Sequence, residues 1–156
     1  MSRWGIGPAF TLSSLTYSAL VIIIHRALLP STRMEFIPAP VAIGCGVVLV
    51  ALGVVLYATS LGPVHRAYSA RRLVTDGVYA YVRHPIYATF IVLIVPGIVL
   101  MLRSLPGLTI PVFMYLVFRA LIGAEENYLR AAFGEQYETY HRRVGAVFPR
   151  LSRSRE

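Results

Sequence analysis

The chain contains no lysine. All 15 of its basic side chains are arginine, set against 7 acidic ones, and the formal net charge is +8. It has a single cysteine, Cys45, inside an apolar run. That excludes a disulfide framework and a cysteine-based metal site, and leaves Cys45 to be read as a small buried apolar residue. No histidine spacing suggests a metal site. No aspartate or glutamate falls within any of the four long apolar runs, which weakens a transporter reading, since a transport path calls for an embedded charge. There is no internal repeat and no low-complexity segment beyond an Arg/Ser tail. Nor is there a soluble basic domain to bind nucleic acid. The arginines flank apolar segments, a pattern of membrane topology and of attraction to anionic headgroups.

What is present is apolar length. Hydrophobic residues make up 56% of the 156 positions, and the mean hydropathy is +0.64. That exceeds the usual share for soluble domains and points to a single integral membrane domain over residues 1–156. The first run, about Gly5 to Leu29, is free of charge from Gly7 to Ile24, long enough to span a core needing roughly 20 residues. Only Arg3 precedes it and no A-x-A-like site follows, so it reads as a retained helix with Trp4 and Phe10 at its interfacial start. The second run extends from about Ala39 to Leu61, with Gly44, Gly46 and Gly53 placed for close helix approach.

A polar stretch follows, Gly62 to His84. Its turn is expected at Asp76-Gly77, with Gly77 at positive φ. Pro85 suits the first turn of a third helix, about Pro85 to Leu102, and Pro96-Gly97 predicts a kink inside it. Arg103 to Gly107 is long enough only for a tight reversal, so helices three and four form an antiparallel hairpin. The fourth runs from about Leu108 to Gly123, with Arg119 placed to snorkel. Apolar and aromatic residues then recur at helical spacing (Tyr128, Leu129, Ala132, Phe133, Tyr137, Tyr140, Val144), which predicts amphipathic helices interrupted near Gly134. Residues 150–156 read as a disordered tail.

The fold class expected is therefore all-α and integral to the membrane, with four transmembrane helices and both termini on the arginine-rich, cytoplasmic side. That side would hold Arg3, Arg66, Arg71, Arg72, Arg83 and the C-terminal arginines. The arginine-rich composition points to a bacterial protein of the inner membrane. His25 reads as an interfacial end residue, His65 as loop-solvated and His141 as surface-facing.

Gly77 to Tyr87 is too aromatic and too charged for a plain connector. The hairpin of helices three and four returns the chain to the same face and brings Glu125 and Glu126 within reach of His84. Arginine, histidine, two tyrosines and two glutamates at a membrane edge make a candidate active site; they would equally serve as interfacial ion pairs with belt tyrosines.

The spacing of these motifs resembles the isoprenylcysteine carboxyl methyltransferase family, and is similar to the related phospholipid N-methyltransferases. The motifs are Leu73-Val74-Thr75-Asp76-Gly77-Val78-Tyr79, Tyr81-Val82-Arg83-His84-Pro85-Ile86-Tyr87, Glu125-Glu126 with Leu129, and Phe133-Gly134-Glu135-Gln136-Tyr137 with Tyr140, ending at Pro149. They cover Arg71 to Pro149, about half the chain. The resemblance implies a membrane methyltransferase using S-adenosylmethionine, in a cytosolic-side pocket capped by the C-terminal helices. Residues 1–61 would then be two helices placed before a methyltransferase-like core over 62–149. Carried over by position, Leu73, Val74, Tyr79, His84, Pro85, Ile86, Tyr87 and Glu125 would contact the cofactor. A lipophilic or small-molecule acceptor would enter between helices.

The residue types suit that chemistry. Arg83, or a backbone N–H at the start of helix three, can meet the cofactor's carboxylate, and Glu125 its ammonium. Tyr79 and Tyr87 offer faces and hydroxyls to the adenine, ribose or sulfonium. In-line methyl transfer needs a base only where the nucleophile arrives protonated; a thiol or amine would turn to His84 or Glu126. Three positions depart from the family pattern. Arg71 replaces a histidine, Thr89 a glycine, and Leu121 stands where an arginine contacts substrate, with Arg119 two residues away. Two other classes remain in view: a nicotinamide-dependent membrane reductase, since some sterol reductases share a similar Arg-His-Pro-x-Tyr segment, and a non-catalytic four-helix membrane protein.

Overall fold

The computed structural model describes residues 5–29, 31–70 and 72–150. Among these the chain is helical, without a named strand: α1 (Gly7–Ala27), α2 (Ala39–Ala70), α3 (Pro85–Leu102) and α4 (Thr109–Arg143). All four are long and apolar enough to cross a membrane, and the protein is integral to it. The expectations for Arg3, Trp4, Arg71 and the tail after Arg150 lie outside the described residues, as does the side chain of His65.

Two helices run further than their apolar runs predict. α2 was expected to stop at Leu61 but continues to Ala70, through Pro63. Polarity at residue 62 marks the membrane boundary and not the helix end, because Ala, Arg and Ser sustain a helix in water. α4 was expected to end at Gly123, yet it passes straight through; a Cβ at Gly123 would meet nothing within 4 Å. From Thr109 to Phe133, before its backbone breaks at Gly134, its 25 residues come to roughly 37 Å at 1.5 Å per residue. A hydrocarbon core is about 30 Å thick, so α4 overshoots the bilayer by about a turn before the break. The overshoots of α2 and α4 lie at the same end of the bundle as the first turns of α1 and α3.

α3 is opened by Pro85, as expected. Its regular pitch gives way to a π-helical segment, Thr89–Ile94, before α-helix resumes over Val95–Leu102. Pro96 has no N–H to return to the previous turn, and the wider π pitch absorbs that missing bond where the sequence predicted a kink. α2 and α3 pack backbone to backbone. A Cβ on Gly46 would lie 2.6 Å from the Gly97 carbonyl oxygen, and one on Gly97 2.7 Å from that of Gly46. Gly53 sits equally tightly against Ile94, whereas Gly44 faces open space. Cys45 is exposed on this helix, and is not the buried filler expected of it.

The end of the bundle away from the site is tied by one side chain. Arg103, in the left-handed conformation with φ 52°, donates to the carbonyls of Met34 and Ile37. Arg33 and Ser104 form an isolated antiparallel bridge beside it. His25 is buried there and hydrogen bonds with Thr32 at 3.2 Å, a structural end residue.

Candidate active site

The site is built at the membrane edge, where α3 begins. Gly77 takes φ 57°, as the turn required, and one 3-10 turn (Gly77–Ala80) directs Tyr79 inward. The Tyr79 hydroxyl donates to the Ser60 carbonyl of α2 at 3.3 Å, and its own carbonyl accepts the Tyr140 hydroxyl at 2.7 Å. Pro85 keeps the preceding residue out of the helical region, and His84 has φ −125°, ψ 62°. Residues 82–84 are thereby extended and pair with the segment that follows α4. The N–H groups of Arg83 and His84 donate to the carbonyls of Gly145 (2.7 Å) and Ala146 (3.0 Å), and Val82 forms a parallel bridge with Gly145. Residues 144–150 thus form a strap across the motif. In sequence this segment showed only as the close of the ordered part.

Glu125 and Glu126 are neighbours on α4, so they leave it about 100° apart. Glu125 is half-buried, accepts a 3.4 Å hydrogen bond from the Tyr87 hydroxyl, and lies 3.6 Å from His84 Nδ1. Glu126 is buried. Its Oε1 accepts from Arg83 Nη2 at 2.7 Å and lies 3.5 Å from His84 Nε2; its Oε2 is 3.4 Å from His141 Nε2. His84 is therefore held between the two carboxylates at ion-pair distances, longer than a well-formed hydrogen bond. Burial works against its charged form, but the contacts with Glu125 and Glu126 outweigh it and raise its pKa above the ordinary histidine value. The two acids thus favour the charged form of the imidazole between them. Burial, reinforced by the charge of Glu125, also pushes the Tyr79 hydroxyl pKa up, which keeps Tyr79 a neutral donor.

Arg83 is engaged in the protein through both of its terminal nitrogens, while its buried Nε has no partner. Besides Glu126, its guanidinium donates to the carbonyls of His141 (3.1 Å) and Val144. Its side chain is 6% exposed. Backbone N–H donors are also left at the first turn of α3, at Ile86 and Tyr87, which have no partner within the helix.

At Gly134 the backbone of α4 leaves helical geometry, with φ 52°, ψ −128°, where the amphipathic pattern predicted an interruption. The final turns then fold Tyr137, Tyr140 and Val144 into a small core with Leu73, Leu129 and Phe133. Tyr137 is fully buried, consistent with a lid packed from inside. His141, expected at the surface, instead faces Glu126.

Tyr79, Arg83, His84, Pro85, Tyr87, Glu125 and Glu126 are gathered at one place. Leu73 packs beneath the lid, while Val74 and Ile86 are half-buried at the flanks. Not anticipated was a chamber of about 570 Å³ on the Glu126 side, lined by Arg83, Phe118, Arg119, Ile122 and the strap. The recurrence of Tyr115, Phe118, Ile122 and Glu126 at steps of three and four was its signal in the sequence. Phe118 is completely buried and its ring lies 5.6 Å from that of His84.

The model of the isoprenylcysteine carboxyl methyltransferase family matches residues 44–131. Protein-S-isoprenylcysteine O-methyltransferase B of Arabidopsis thaliana is 30% identical over 113 residues, which cover 67% of this chain and 57% of the relative. The fission yeast protein-S-isoprenylcysteine O-methyltransferase (Schizosaccharomyces pombe) is 38% identical over 77 residues, 49% of this chain and 33% of the relative. The solved structure of the eukaryotic intramembrane Ras methyltransferase ICMT shares the fold, with a TM-score of 0.66 at 24% identity, over 92% of this chain and 53% of that one. The chain thus spans little more than half of the Arabidopsis relative and of the solved structure, and a third of the yeast relative. With more than half of its residues matched by the family model, the chain belongs to the isoprenylcysteine carboxyl methyltransferase family.

Proposed function

We propose that this protein is a membrane methyltransferase that transfers the methyl group of S-adenosylmethionine to a lipophilic acceptor. The observation that carries the reading is the division of labour between two adjacent carboxylates. Glu126 is neutralised by Arg83 at 2.7 Å, whereas Glu125 is half-buried, has no arginine partner, and meets only Tyr87 at 3.4 Å and His84 at 3.6 Å, both long contacts. A half-buried carboxylate with acceptor capacity to spare, beside two tyrosines, fits a ligand's ammonium. S-adenosylmethionine has that ammonium, and its sulfonium supplies the methyl for in-line displacement.

In this reading Glu125 binds the ammonium, and Tyr79 and Tyr87 meet the adenine, ribose or sulfonium. The N–H groups at the start of α3 donate to the carboxylate, while Leu73, Val74, Pro85 and Ile86 close the flanks. Arg83 serves by holding Glu126 and the strap. His84 and Glu126 fix the electrostatics of the centre instead of abstracting a proton, because each already faces an opposite charge. An acceptor that arrives deprotonated, as a carboxylate does, needs no base; that agrees with the reaction named for the curated relatives. The arginine-rich face, which carries the site, is the cytoplasmic one by the positive-inside rule, in a bacterial inner membrane.

Detergent-solubilised protein should bind S-adenosylmethionine, and Glu125→Ala should abolish binding without unfolding the chain. Total membrane lipids and S-alkyl cysteines should accept a tritiated methyl group. The cofactor, and not a nicotinamide nucleotide, should raise the melting temperature by mass action. Well-folded protein that binds only the nucleotide would instead be a reductase.

A further inference from the structure

Two cavities meet at one pair of aromatic rings. The first is an apolar slot of about 340 Å³ between α3 and α4, lined by Ile91, Val92, Pro111 and Val112. These residues lie within the membrane-crossing parts of both helices. The second is the polar chamber of about 570 Å³ beside Glu126. The residues common to both linings are Tyr115 and Phe148. Their ring centroids are 6.0 Å apart at an interplanar angle of 53°, within the range of touching aromatic pairs. The two rings therefore stand across the way from slot to chamber.

The two rings are mounted differently. Tyr115 is half-buried on a continuous helix. Phe148 belongs to the strap, which is held by its backbone before this residue and by a side chain after it. Before it, Val147 is buried in the main core and Gly145 and Ala146 accept the N–H groups of Arg83 and His84. After it, Arg150 donates to the Arg142 carbonyl. Phe148 as a residue is 56% exposed. A ring with room to turn on a fixed backbone, against one carried by a helix, is a neck whose width depends on a single side chain.

The contents of the two cavities identify the occupant. The slot is uncharged and of a size for one aliphatic chain. In the chamber the carboxylate of Glu126 is already matched by Arg83, and Arg119 and Arg150 add positive charge. We propose that Tyr115 and Phe148 form the specificity neck for the methyl acceptor: a single-chain amphiphile lies with its apolar tail in the slot and its acidic group in the chamber, and the bulk at the neck sets how branched the chain can be next to that group. The role in specificity rests on the methyl-transfer reading; the neck itself does not.

The neck is tested without turnover. In full-length Cys45→Ser protein in lipid nanodiscs, Val112→Cys places a thiol in the slot. A water-soluble anionic methanethiosulfonate then reaches it by way of the chamber. Phe148→Ala should speed labelling at least tenfold and Phe148→Trp should suppress it; a rate indifferent to Phe148 overturns the neck. Specificity is read from three N-acetyl cysteine thioethers, S-farnesyl (branched), S-dodecyl (straight) and S-butyl (short). Phe148→Ala should raise the kcat/KM ratio of the branched to the straight acceptor at least fivefold, through KM, and leave the short one unchanged. An equal change in all three means that Phe148 is merely structural and overturns the specificity role. Absence of both transfer and S-adenosylmethionine binding in folded wild-type protein would refute the methyltransferase reading, and the labelling result would still decide the neck.

Discussion

Replacing Arg83 by methionine removes one partner of a buried ion pair and the donor to two carbonyls, that of His141 in the last turn of α4 and that of Val144 in the strap. The Arg83 and Glu126 side chains are 6% and 11% exposed and meet at 2.7 Å. Breaking such a pair from one side costs about 3–5 kcal/mol, because the remaining charge stays buried without its partner. The carbonyls of His141 and Val144 also lose a charged donor, at about 1–3 kcal/mol for each one left unsatisfied. His84 remains 3.5 Å from Glu126 and offsets part of this, so a loss of about 3–5 kcal/mol is expected for Arg83→Met. Against a total of roughly 5–15 kcal/mol for a domain, that is a large share. The assay is equilibrium unfolding in mixed detergent and dodecyl sulfate micelles, followed by circular dichroism. The double variant Arg83→Met/Glu126→Gln removes the stranded charge and should recover at least about 1 kcal/mol relative to the single, a coupling read from the mutant cycle. A single variant that loses less than about 1 kcal/mol, or a double no more stable than the single, refutes the assignment of Arg83 as the clamp of the strap.

Three further outcomes follow. His84 has a folded-state pKa above the ordinary value, so its charged form stabilises the protein fully below about pH 6.5. That contribution disappears as pH rises through the raised pKa; the melting-temperature gap between wild type and His84→Gln should shrink from pH 6 to pH 9, and a widening gap would contradict the bridge. Gly134→Ala forces a side chain into φ 52°, ψ −128°, at a cost of about 1–3 kcal/mol; it should also lift Tyr140 from the Tyr79 carbonyl and weaken S-adenosylmethionine binding, measured by calorimetry. Gly97→Val would press a Cβ to 2.7 Å from the Gly46 carbonyl oxygen. Backbone cannot yield as a side chain does, so α2 and α3 should separate and the melting temperature fall, whereas Gly44→Val at an open position should leave it unchanged.

Much of this arrangement could be read from the chain, and the rest fails to show for definite reasons. Pro85, Gly77 and Gly134 act on their own backbone, so a sequence displays them directly. The reversal at Arg103 is equally local, and it alone requires Glu125 and Glu126 to return to the level of His84. Helix ends were harder. Apolar periodicity reports where the bilayer stops, and α2 and α4 continue into water as helices of ordinary composition. The strap is the feature that sequence conceals most fully, because its bonds run from the Arg83 and His84 N–H groups to the Gly145 and Ala146 carbonyls. Every residue but proline owns such groups, and no side chain announces their pairing. Yet the strap decides how the legible residues behave. It occupies Arg83, which composition alone would offer to a ligand carboxylate, and it fixes Arg83 and His84 beside Glu126. Glu125 and Glu126 look interchangeable as letters. They differ because a helix turns about 100° per residue, and because one of the two directions is already filled by the arginine that holds the strap. The freedom of Glu125 to take a ligand is in this sense a consequence of bonds made at residues 145 and 146.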